Sequence, residues 1–570
     1  MTASMTGVRR VLGLTALLVG LVCGVHVAAS GAAPAAPLVT AFPSAQTIPA
    51  SGSLPAGGAP TLILRAARGE REGAWLVARN GRELAATVDR GSLGPLGVEL
   101  AWGHFVRVGA KLVPDALVPW GGEARSFEQP NQPLYVRVVV PRGTAPGTYA
   151  GRVVVTVDGR ELTVPLSVRV FAATLPEQPL PTSFHVSPAT YLSTVARLHG
   201  LRSDAARRAA HGALFAFLAE YGISPSSWGF GEPRSSAGYQ SSSRWWLDSA
   251  VNMREAGAPA FASMRVPISS NRTSATSRIA GLDPGQPETW CDYLKAVRGF
   301  WAEQGWLGRL PFLYAQDEPN LVGQRLVARQ SKVLHACWPG ARTLMTGNPA
   351  PSGANRFLSD GRGGDDVDIW AVLSRRYYGR FTVPAQRRSR ERELATTLQG
   401  VRRAASVWSY TYSAVEGTPG FAATEPLANP RLFLLWNALE GLRGVLYGQG
   451  TTSYDRGDPL ATLSRDGDFV LLYPGATRPI PSARLEQIRD GIEDWALLEL
   501  VRRKHGAGEV RAILGGAGLF SATRRGVKLA CTIGCALKST TRFSWPLWAR
   551  DASTAARIET ARTTALRRAG

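Results

Sequence analysis

From Ser183 to Lys504 the chain alternates short apolar, β-branched runs with longer helix-period stretches. The predicted strands are Ser183–Val186, Gly222–Trp228, Ala258–Val266, Leu310–Ala315, Arg342–Gly347, Val367–Leu373, Ser406–Tyr412 and Gly444–Tyr447. Between them the spacing predicts helices over Asp204–Tyr221, Glu288–Gln304, Leu321–Cys337, Gln386–Gln399, Pro430–Gly441 and Arg484–Lys504. Parallel strands need crossover connections, and helices supply them. Eight such units over residues 182–504 predict a (β/α)8 barrel, a TIM barrel. A doubly wound open sheet is the alternative, but no phosphate-binding fingerprint follows the first strand.

Upstream the text changes. Thr61–Arg65, Ala74–Arg79, Leu134–Val140, Tyr149–Val157 and Leu162–Phe171 alternate or are β-branched, with turn signals at Asn80-Gly81, Pro146-Gly147 and Asp158-Gly159. No helix period intervenes, so residues 61–175 are expected to form a β-sandwich. Residues 34–60, rich in Ala, Pro, Gly and Ser, read as a flexible lead-in. The Pro-rich stretch Leu175–Pro181 reads as a stiff linker. Residues 505–570 read as a small C-terminal extension of lower order, with Cys531-Thr-Ile-Gly-Cys535 bracketing a loop. The whole is a multidomain β plus α/β chain.

Residues 1–33 carry Arg9-Arg10, an apolar run from Val11 to Val27 and the small residues Ala28 to Ala32. That order is the pattern of a cleaved export signal. A secreted or extracytoplasmic, envelope-associated protein is expected, with no integral membrane segment after cleavage. Cys291, Cys337, Cys531 and Cys535 would remain, and an even number in an exported chain favours disulfides, with the pairing open. The formal charge of +22 invites a nucleic-acid reading. However, the Arg-rich runs Arg387–Arg392 and Arg557–Arg568 lack interleaved aromatics and read as solvated faces. The expectation is no nucleic-acid partner, and at most a loose attraction to anionic envelope polymers. Phosphate loop, dinucleotide fingerprint, Gly-x-Ser-x-Gly and His-Glu-x-x-His are all absent, so no cofactor and no metal are expected.

The sharpest chemical feature is Leu310-Pro-Phe-Leu-Tyr-Ala-Gln-Asp317-Glu318-Pro319-Asn320, an apolar strand ending in two carboxylates. C-terminal strand ends form the active face of a barrel. Burial there would raise a carboxyl pKa toward that of the general acid that glycosidic cleavage requires. Adjacent strand residues point to opposite faces, which makes Asp317 and Glu318 awkward as an opposed acid and nucleophile. Two solutions remain. Glu416, after the seventh strand, supplies the nucleophile. Alternatively a substrate 2-acetamido carbonyl does so, with Glu318 protonating the leaving oxygen and Asp317 orienting the acetamido group. A helix cap at Asp317 is the structural alternative.

Aromatic rings stack on pyranose faces. Trp370, Tyr377 and Tyr378 cluster around the sixth strand, Trp408, Tyr410 and Tyr412 alternate on the seventh, and Tyr447 ends the eighth. Of these, Trp370, Tyr378, Tyr410, Tyr412 and Tyr447 are candidate sugar contacts, with Asn348 as a hydroxyl partner. Glu486, Arg489 and Glu493 read as structural charge pairs on the last helix.

The order of these regions resembles glycoside hydrolase family 123 and related bacterial proteins with domain of unknown function 4091 (DUF4091). The resemblance rests on Leu64-Arg-Ala-Ala-Arg-Gly-Glu70, Pro114-Asp-Ala-Leu-Val-Pro119 and Val140-Pro-Arg-Gly-Thr-Ala-Pro-Gly-Thr-Tyr-Ala-Gly151. It continues in Asp317-Glu-Pro319, Val367-Asp-Ile-Trp370 and Arg484-Leu-Glu-Gln-Ile-Arg-Asp-Gly-Ile-Glu-Asp-Trp495. It implies hydrolysis of β-linked N-acetylhexosaminides, N-acetylgalactosaminides in particular, with Glu318 as acid/base and Asp317 as the acetamido-orienting residue. One departure is Gly448-Gln449-Gly450 after Leu446-Tyr447, where similar sequences carry a Trp. A catalytically silent carbohydrate- or envelope-binding protein is the alternative from a different class.

Overall fold

The computed structural model describes residues 36–226, 261–266, 287–303, 305–319, 321–347, 367–373, 406–411, 419–454, 457–464, 467, 469–522, 527–529, 541–543, 546–548 and 552–570. Its first ten strands are β1 (Leu38–Pro43), β2 (Leu62–Arg68), β3 (Arg71–Arg79), β4 (Glu83–Asp89), β5 (Gly97–Val108), β6 (Lys111–Pro119), β7 (Arg125–Ser126), β8 (Asn131–Val139), β9 (Gly147–Val157) and β10 (Arg160–Thr174). One sheet runs β1-β3-β8-β5, with β6 also on β5; the other runs β2-β10-β9-β4-β7. Alternate residues of both sheets, among them Leu76, Val136, Trp102, Leu64, Val155 and Val168, share one apolar cluster. This is the period-2 burial expected of strands with one covered face.

The Asp158-Gly159 signal holds. Arg160 pairs with Val157 across a two-residue turn, and Asp158 and Gly159 both have positive φ, 49° and 79°. Asx and Gly tolerate that geometry, which matches strand twist. The Asp158 carboxylate also accepts the backbone N–H groups of Arg82 and Glu83 at 3.0 and 2.9 Å.

The region read as a flexible lead-in is partly ordered. β1 pairs antiparallel with β3, from Leu38 opposite Arg79 to Pro43 opposite Ala74. Ala41, Phe42 and Ile48 are buried. Within that Ala/Pro/Gly/Ser-rich stretch, Leu38–Pro43 is itself apolar and β-branched enough to pair as a strand.

Seven further strands form one parallel sheet. They are β11 (Thr182–His185), β12 (Ser263–Arg265), β13 (Leu310–Gln316), β14 (Arg342–Thr346), β15 (Ile369–Leu373), β16 (Val407–Thr411) and β17 (Val445–Gly450), in the order β11-β17-β16-β15-β14-β13-β12. The sheet is a nearly closed barrel. Ser263 Oγ, on one end strand, donates to the Thr182 carbonyl on the other at 2.6 Å. Of the expected strand Gly222–Trp228, the described residues 222–226 enter as a single parallel bridge, Phe184 to Pro225. Phe184 N–H donates to the Ser224 carbonyl at 2.9 Å, and Ser226 N–H to the Phe184 carbonyl at 2.7 Å. Pro225 has no N–H to offer a second neighbour, which confines it to an edge.

The helices are α1 (Pro188–His199), α2 (Asp204–Glu220), α3 (Pro287–Glu303), α4 (Leu321–Cys337), α5 (Asn429–Glu440), α6 (Ala483–His505), α7 (Ala507–Gly516) and α8 (Thr554–Ala569). The expected helix Gln386–Gln399 lies outside the described residues. A disulfide joins Cys291 of α3 to Cys337 of α4, closing the pairing left open by the sequence for those two. Cys531 and Cys535 lie outside the described residues. Among the described residues no helix is long and apolar enough to cross a membrane.

Helix α6 is buried nearly all round despite its charges. Ser482 caps it by accepting Leu485 N–H at 3.0 Å. Gly491 lets α5 approach: a Cβ there would lie 2.8 Å from Leu434 Cβ. The charges pair internally and across elements. Arg489 meets Glu486 at 2.5 Å and Glu493 at 3.7 Å. This is the structural pairing expected for these three residues.

The C-terminal extension is not an appendix of lower order throughout. Helix α8 packs on α6, β1, β2 and β10. Its Arg562 is buried and reaches Glu72 at 2.6 Å and Asp494 at 2.9 Å. Residues Pro37–Gly570 form one compact unit.

Candidate active site

The C-terminal ends of the parallel strands bring together Asp317, Glu318, Thr346, Tyr314 and Tyr410. Strand β13 carries an irregularity just before the acids: Tyr314 pairs with Leu344 of β14, but Gln316 pairs with Met345. An extra residue in one strand re-aims the side chains beyond it. The strand ends at Gln316, and Glu318 then adopts φ +45°. A bulky residue in the left-handed region costs about 1–3 kcal/mol and persists only where its surroundings hold it.

Those two irregularities break the alternation that made adjacent acids look awkward. Thr346, the last residue of β14, is bonded to both. Its Oγ1 accepts Glu318 N–H at 2.7 Å and donates to Asp317 Oδ1 at 2.9 Å. Tyr314 Oη donates to the same Asp317 oxygen at 2.9 Å. Tyr410 Oη donates to Glu318 Oε1. Asp317 is half-buried and Glu318 exposed, so the chain itself buries these acids less than their position on the strand suggested.

Both tyrosines keep their protons. Burial, then the bond to Glu318, pushes the Tyr410 hydroxyl well above the usual range. Burial, then the Asp317 charge, does the same for Tyr314. Each is a neutral donor facing a carboxylate, as desolvation plus a nearby negative charge requires.

One cationic group, Arg265, stands beside Tyr314, with a histidine within its field. The Arg265 guanidinium, at the end of β12, lies 5.1 Å from the centre of the Tyr314 ring and donates to the Ser226 carbonyl at 3.1 Å. His185 ends β11, where partial burial and then the Arg265 charge hold its imidazole below the ordinary value of 6.5. It is therefore a neutral imidazole at pH 7.

The other anticipated contacts are distributed differently. Tyr410 belongs to the cluster that also holds Phe312, Leu344, Ile369 and Trp408, with Tyr314 packed against it. Trp370 and Tyr447 sit in a second cluster, with residues of α5 and α6. Tyr447 packs against Phe184 at 5.5 Å and Phe421 at 5.0 Å between ring centres. Neither is grouped with Tyr410 and Tyr314. Trp408 packs edge-on against Phe312 at 5.5 Å. Asn348, Tyr377, Tyr378, Tyr412 and Glu416 lie outside the described residues. Sequence reading missed Thr346, Tyr314, Arg265 and His185. Their signal was available, since each sits at or near the C-terminal end of a predicted strand, but none is unusual there.

No group of three or more His, Cys, Asp and Glu suited to a metal occurs among the described residues. The arrangement offers two neighbouring carboxylates, each anchored by neutral hydroxyls. One has its backbone pinned.

Residues 260–501 match the catalytic domain of glycoside hydrolase family 123. The match spans β12 to α6 and so contains Asp317 and Glu318; it supports a glycosidase. The structure is also similar to that of a family 123 glycoside hydrolase from Clostridium perfringens, solved for the details of glycolipid glycan hydrolysis. The TM-score is 0.60 at 13% identity, over 93% of this chain and 98% of that one. At that identity the likeness concerns the fold. More distant are an endo-β-1,4-mannanase from Thermotoga petrophila (TM-score 0.32, 10% identity, 56% of this chain and 77% of that one) and a β-glucuronidase from Parabacteroides merdae (TM-score 0.26, 9% identity, 72% and 49%). No curated protein matches the sequence.

Proposed function

We propose that this chain is an exported glycoside hydrolase that cleaves β-linked N-acetylhexosaminides with retention, using the substrate's own acetamido group as nucleophile. The observation that carries the reading is the tandem Asp317-Glu318 with its strand alternation broken and both residues bonded to Thr346. Two carboxylates this close in sequence do not flank a glycosidic bond from opposite sides, as a separate acid and nucleophile must at ~5–9.5 Å. They can act on one side of the sugar. Glu318 gives its proton to the leaving oxygen. Asp317 accepts the acetamido N–H and favours attack of the acetamido carbonyl on C1. Water then opens the cyclic intermediate at C1 and gives one of its protons to Glu318, which restores the acid.

In the same reading, the seven strands and the Pro225 bridge are a TIM barrel, the two N-terminal sheets are a β-sandwich, and residues 1–33 direct export. Asn348, Tyr378 and Tyr412 remain proposed sugar contacts beside Tyr410. An N-acetylgalactosaminide is the proposed substrate within the class.

The test is a panel of chromogenic β-N-acetylhexosaminides and plain β-hexosides, assayed with the wild type and Glu318→Gln. The expected result is turnover confined to acetamido sugars, falling about 10²–10⁴-fold in Glu318→Gln. A thiazoline mimic of the cyclic intermediate is expected to inhibit. Equal rates in the two proteins would remove Glu318 from the chemistry. Turnover of plain hexosides without thiazoline inhibition would point to a separate nucleophile such as Glu416. Glycan binding with no turnover would make this a binding protein.

A further inference from the structure

We propose that Thr346 is the positioning residue of the site: its single hydroxyl locks Glu318 in the left-handed turn and aims Asp317. The proposal rests on the reading of Asp317 and Glu318 as the reacting pair. Nothing in the sequence marks Thr346, an ordinary β-branched residue at the end of a β-strand.

The hydrogen-bond accounting is tight. Thr346 Oγ1 has one proton and lies within 2.9 Å of Asp317 Oδ1, a carboxylate oxygen that can only accept. The proton therefore goes to the carboxylate, and the oxygen's lone pairs are left to accept. One of them takes Glu318 N–H at 2.7 Å. Tyr314 Oη lies 3.3 Å from the same oxygen, and its proton also has Asp317 Oδ1 to go to, at 2.9 Å. Thr346 Oγ1 thus bonds both the backbone of one acid and the side chain of the other.

The base on which it stands is rigid. Strand β14 is paired on both sides, with β13 and with β15. Thr346 is buried, and Gly347 N–H behind it is tied to the Ala371 carbonyl at 2.9 Å. Two heavy atoms on Cβ limit its rotamers. A stiff side chain on a central strand is what a catalytic pair needs from its support.

The consequence is specific to the hydroxyl. In Thr346→Val the shape is retained, but Glu318 N–H loses the Thr346 acceptor and Asp317 loses a hydroxyl donor. The bond that pins the Glu318 backbone is then gone, and its carboxylate is expected to move off the leaving oxygen. Misplacement on the ångström scale costs about 10²-fold in rate. Thr346→Ser keeps the hydroxyl and loses only a methyl.

The experiment compares the wild type, Thr346→Val, Thr346→Ala and Thr346→Ser, with crystal structures of the variants and steady-state kinetics on the acetamido substrate. The expected result is a kcat about 100-fold lower in Val and Ala with KM changed less than about threefold, and a kcat within about fivefold of wild type in Ser. Glu318 is expected to leave the left-handed region in Val and Ala and to keep it in Ser. The proposal is overturned if Ser is as slow as Val, if the loss appears in KM alone, or if Glu318 keeps its φ in both Val and Ala. If Val does not fold, Ala and Ser decide. If the wild type cleaves none of the panel, the functional reading fails on its own account. The Glu318 conformation in the variants still decides whether Thr346 holds the turn.

Discussion

Glu318 shows how much one backbone angle can decide. On a regular strand its side chain would oppose that of Asp317. At φ +45°, two residues past a strand irregularity, it does not. The Asp317-Glu318 pair was legible in the sequence because two acids ending an apolar strand are unusual. What Thr346 does was not legible, because a hydrogen bond from the neighbouring strand depends on register, which periodicity does not fix. Trp370 and Tyr447 show the converse. Aromatic chemistry marked them, but the side of the strand on which they pack set their company. Tyr410 yields the prediction at this scale. Its hydroxyl donates to Glu318 and is held protonated far above the ordinary value of 10.0. A raised phenol pKa means that the donor persists through the alkaline range, so Tyr410 does not set an alkaline limb. Tyr410→Phe is expected to lower kcat/KM about tenfold, the equivalent of one charge-assisted hydrogen bond, and to leave the limb in place. Rate profiles up to pH 10.5 for both proteins check it; a limb that vanishes in the variant would sink the assignment.

Among the elements, α6 was the most legible and α8 the least. Both are charged. The first carries an obvious apolar stripe, whereas the second, rich in Arg and Thr, gives no sign in its own sequence that Arg562 is buried by partners far along the chain. The strands β1, β4, β5, β6 and β7 were missed too: β1 and β4 are held by strands farther along the chain, β3 and β9, whereas β5 and β6 pair with each other as a local hairpin. Within α6, Glu486 is the best-defined titrating group. Burial works to raise its pKa, but Arg137 and Arg489, together with the Tyr221 hydroxyl, bring it down from 4.5 to about 2. A carboxylate depressed on folding contributes stability that is complete above the unfolded value and is lost as pH falls toward the folded one. The window is therefore pH 4.5 to about 2, and the contribution is on the order of 3 kcal/mol. Glu70, Glu72 and Glu493 are pushed up, burial being the largest cause, and act in the opposite sense. They are common to both proteins in a comparison of the wild type with Glu486→Gln. The variant is expected to be less stable by about 3 kcal/mol at pH 7, with Arg137 and Arg489 deprived of their partner. The gap is expected to narrow as pH falls through the window. Urea unfolding at pH 7, 4.5 and 2.5 measures it; a gap independent of pH would remove Glu486 from the account.

At the scale of the whole molecule, the candidate site depends on a barrel whose helices are tied to the N-terminal sheets and to the last helix by buried charge. Arg431 of α5 contacts Asp494 at 2.6 Å, Asp490 at 3.3 Å and Glu72 at 3.7 Å. Arg562 of α8 contacts Glu70, Glu72 and Asp494. Glu72 and Asp494 are shared, so β3, α5, α6 and α8 form one electrostatic unit. Two guanidiniums face more carboxylates than they can neutralise, and burial raises the pKa of Glu70 and Glu72 accordingly. Such a network is not strong evidence of net stability, but breaking it from one side is costly because charges stay buried without partners. Arg562→Ala is therefore expected to lose about 3–5 kcal/mol. Adding Glu72→Gln is expected to recover more than about 1 kcal/mol, since one stranded acid is then neutral. Because the network spans the molecule, the loss is expected as a shift of one cooperative transition and not as early melting of α8. Tryptophan fluorescence reports from both regions, with Trp75 in β3 and Trp495 in α6, and far-UV circular dichroism reports the helices. Coincident curves, displaced together to lower urea in Arg562→Ala, are the predicted outcome. A separate early phase, with the main transition unmoved, would make α8 an accessory to the fold and confine the network to local packing.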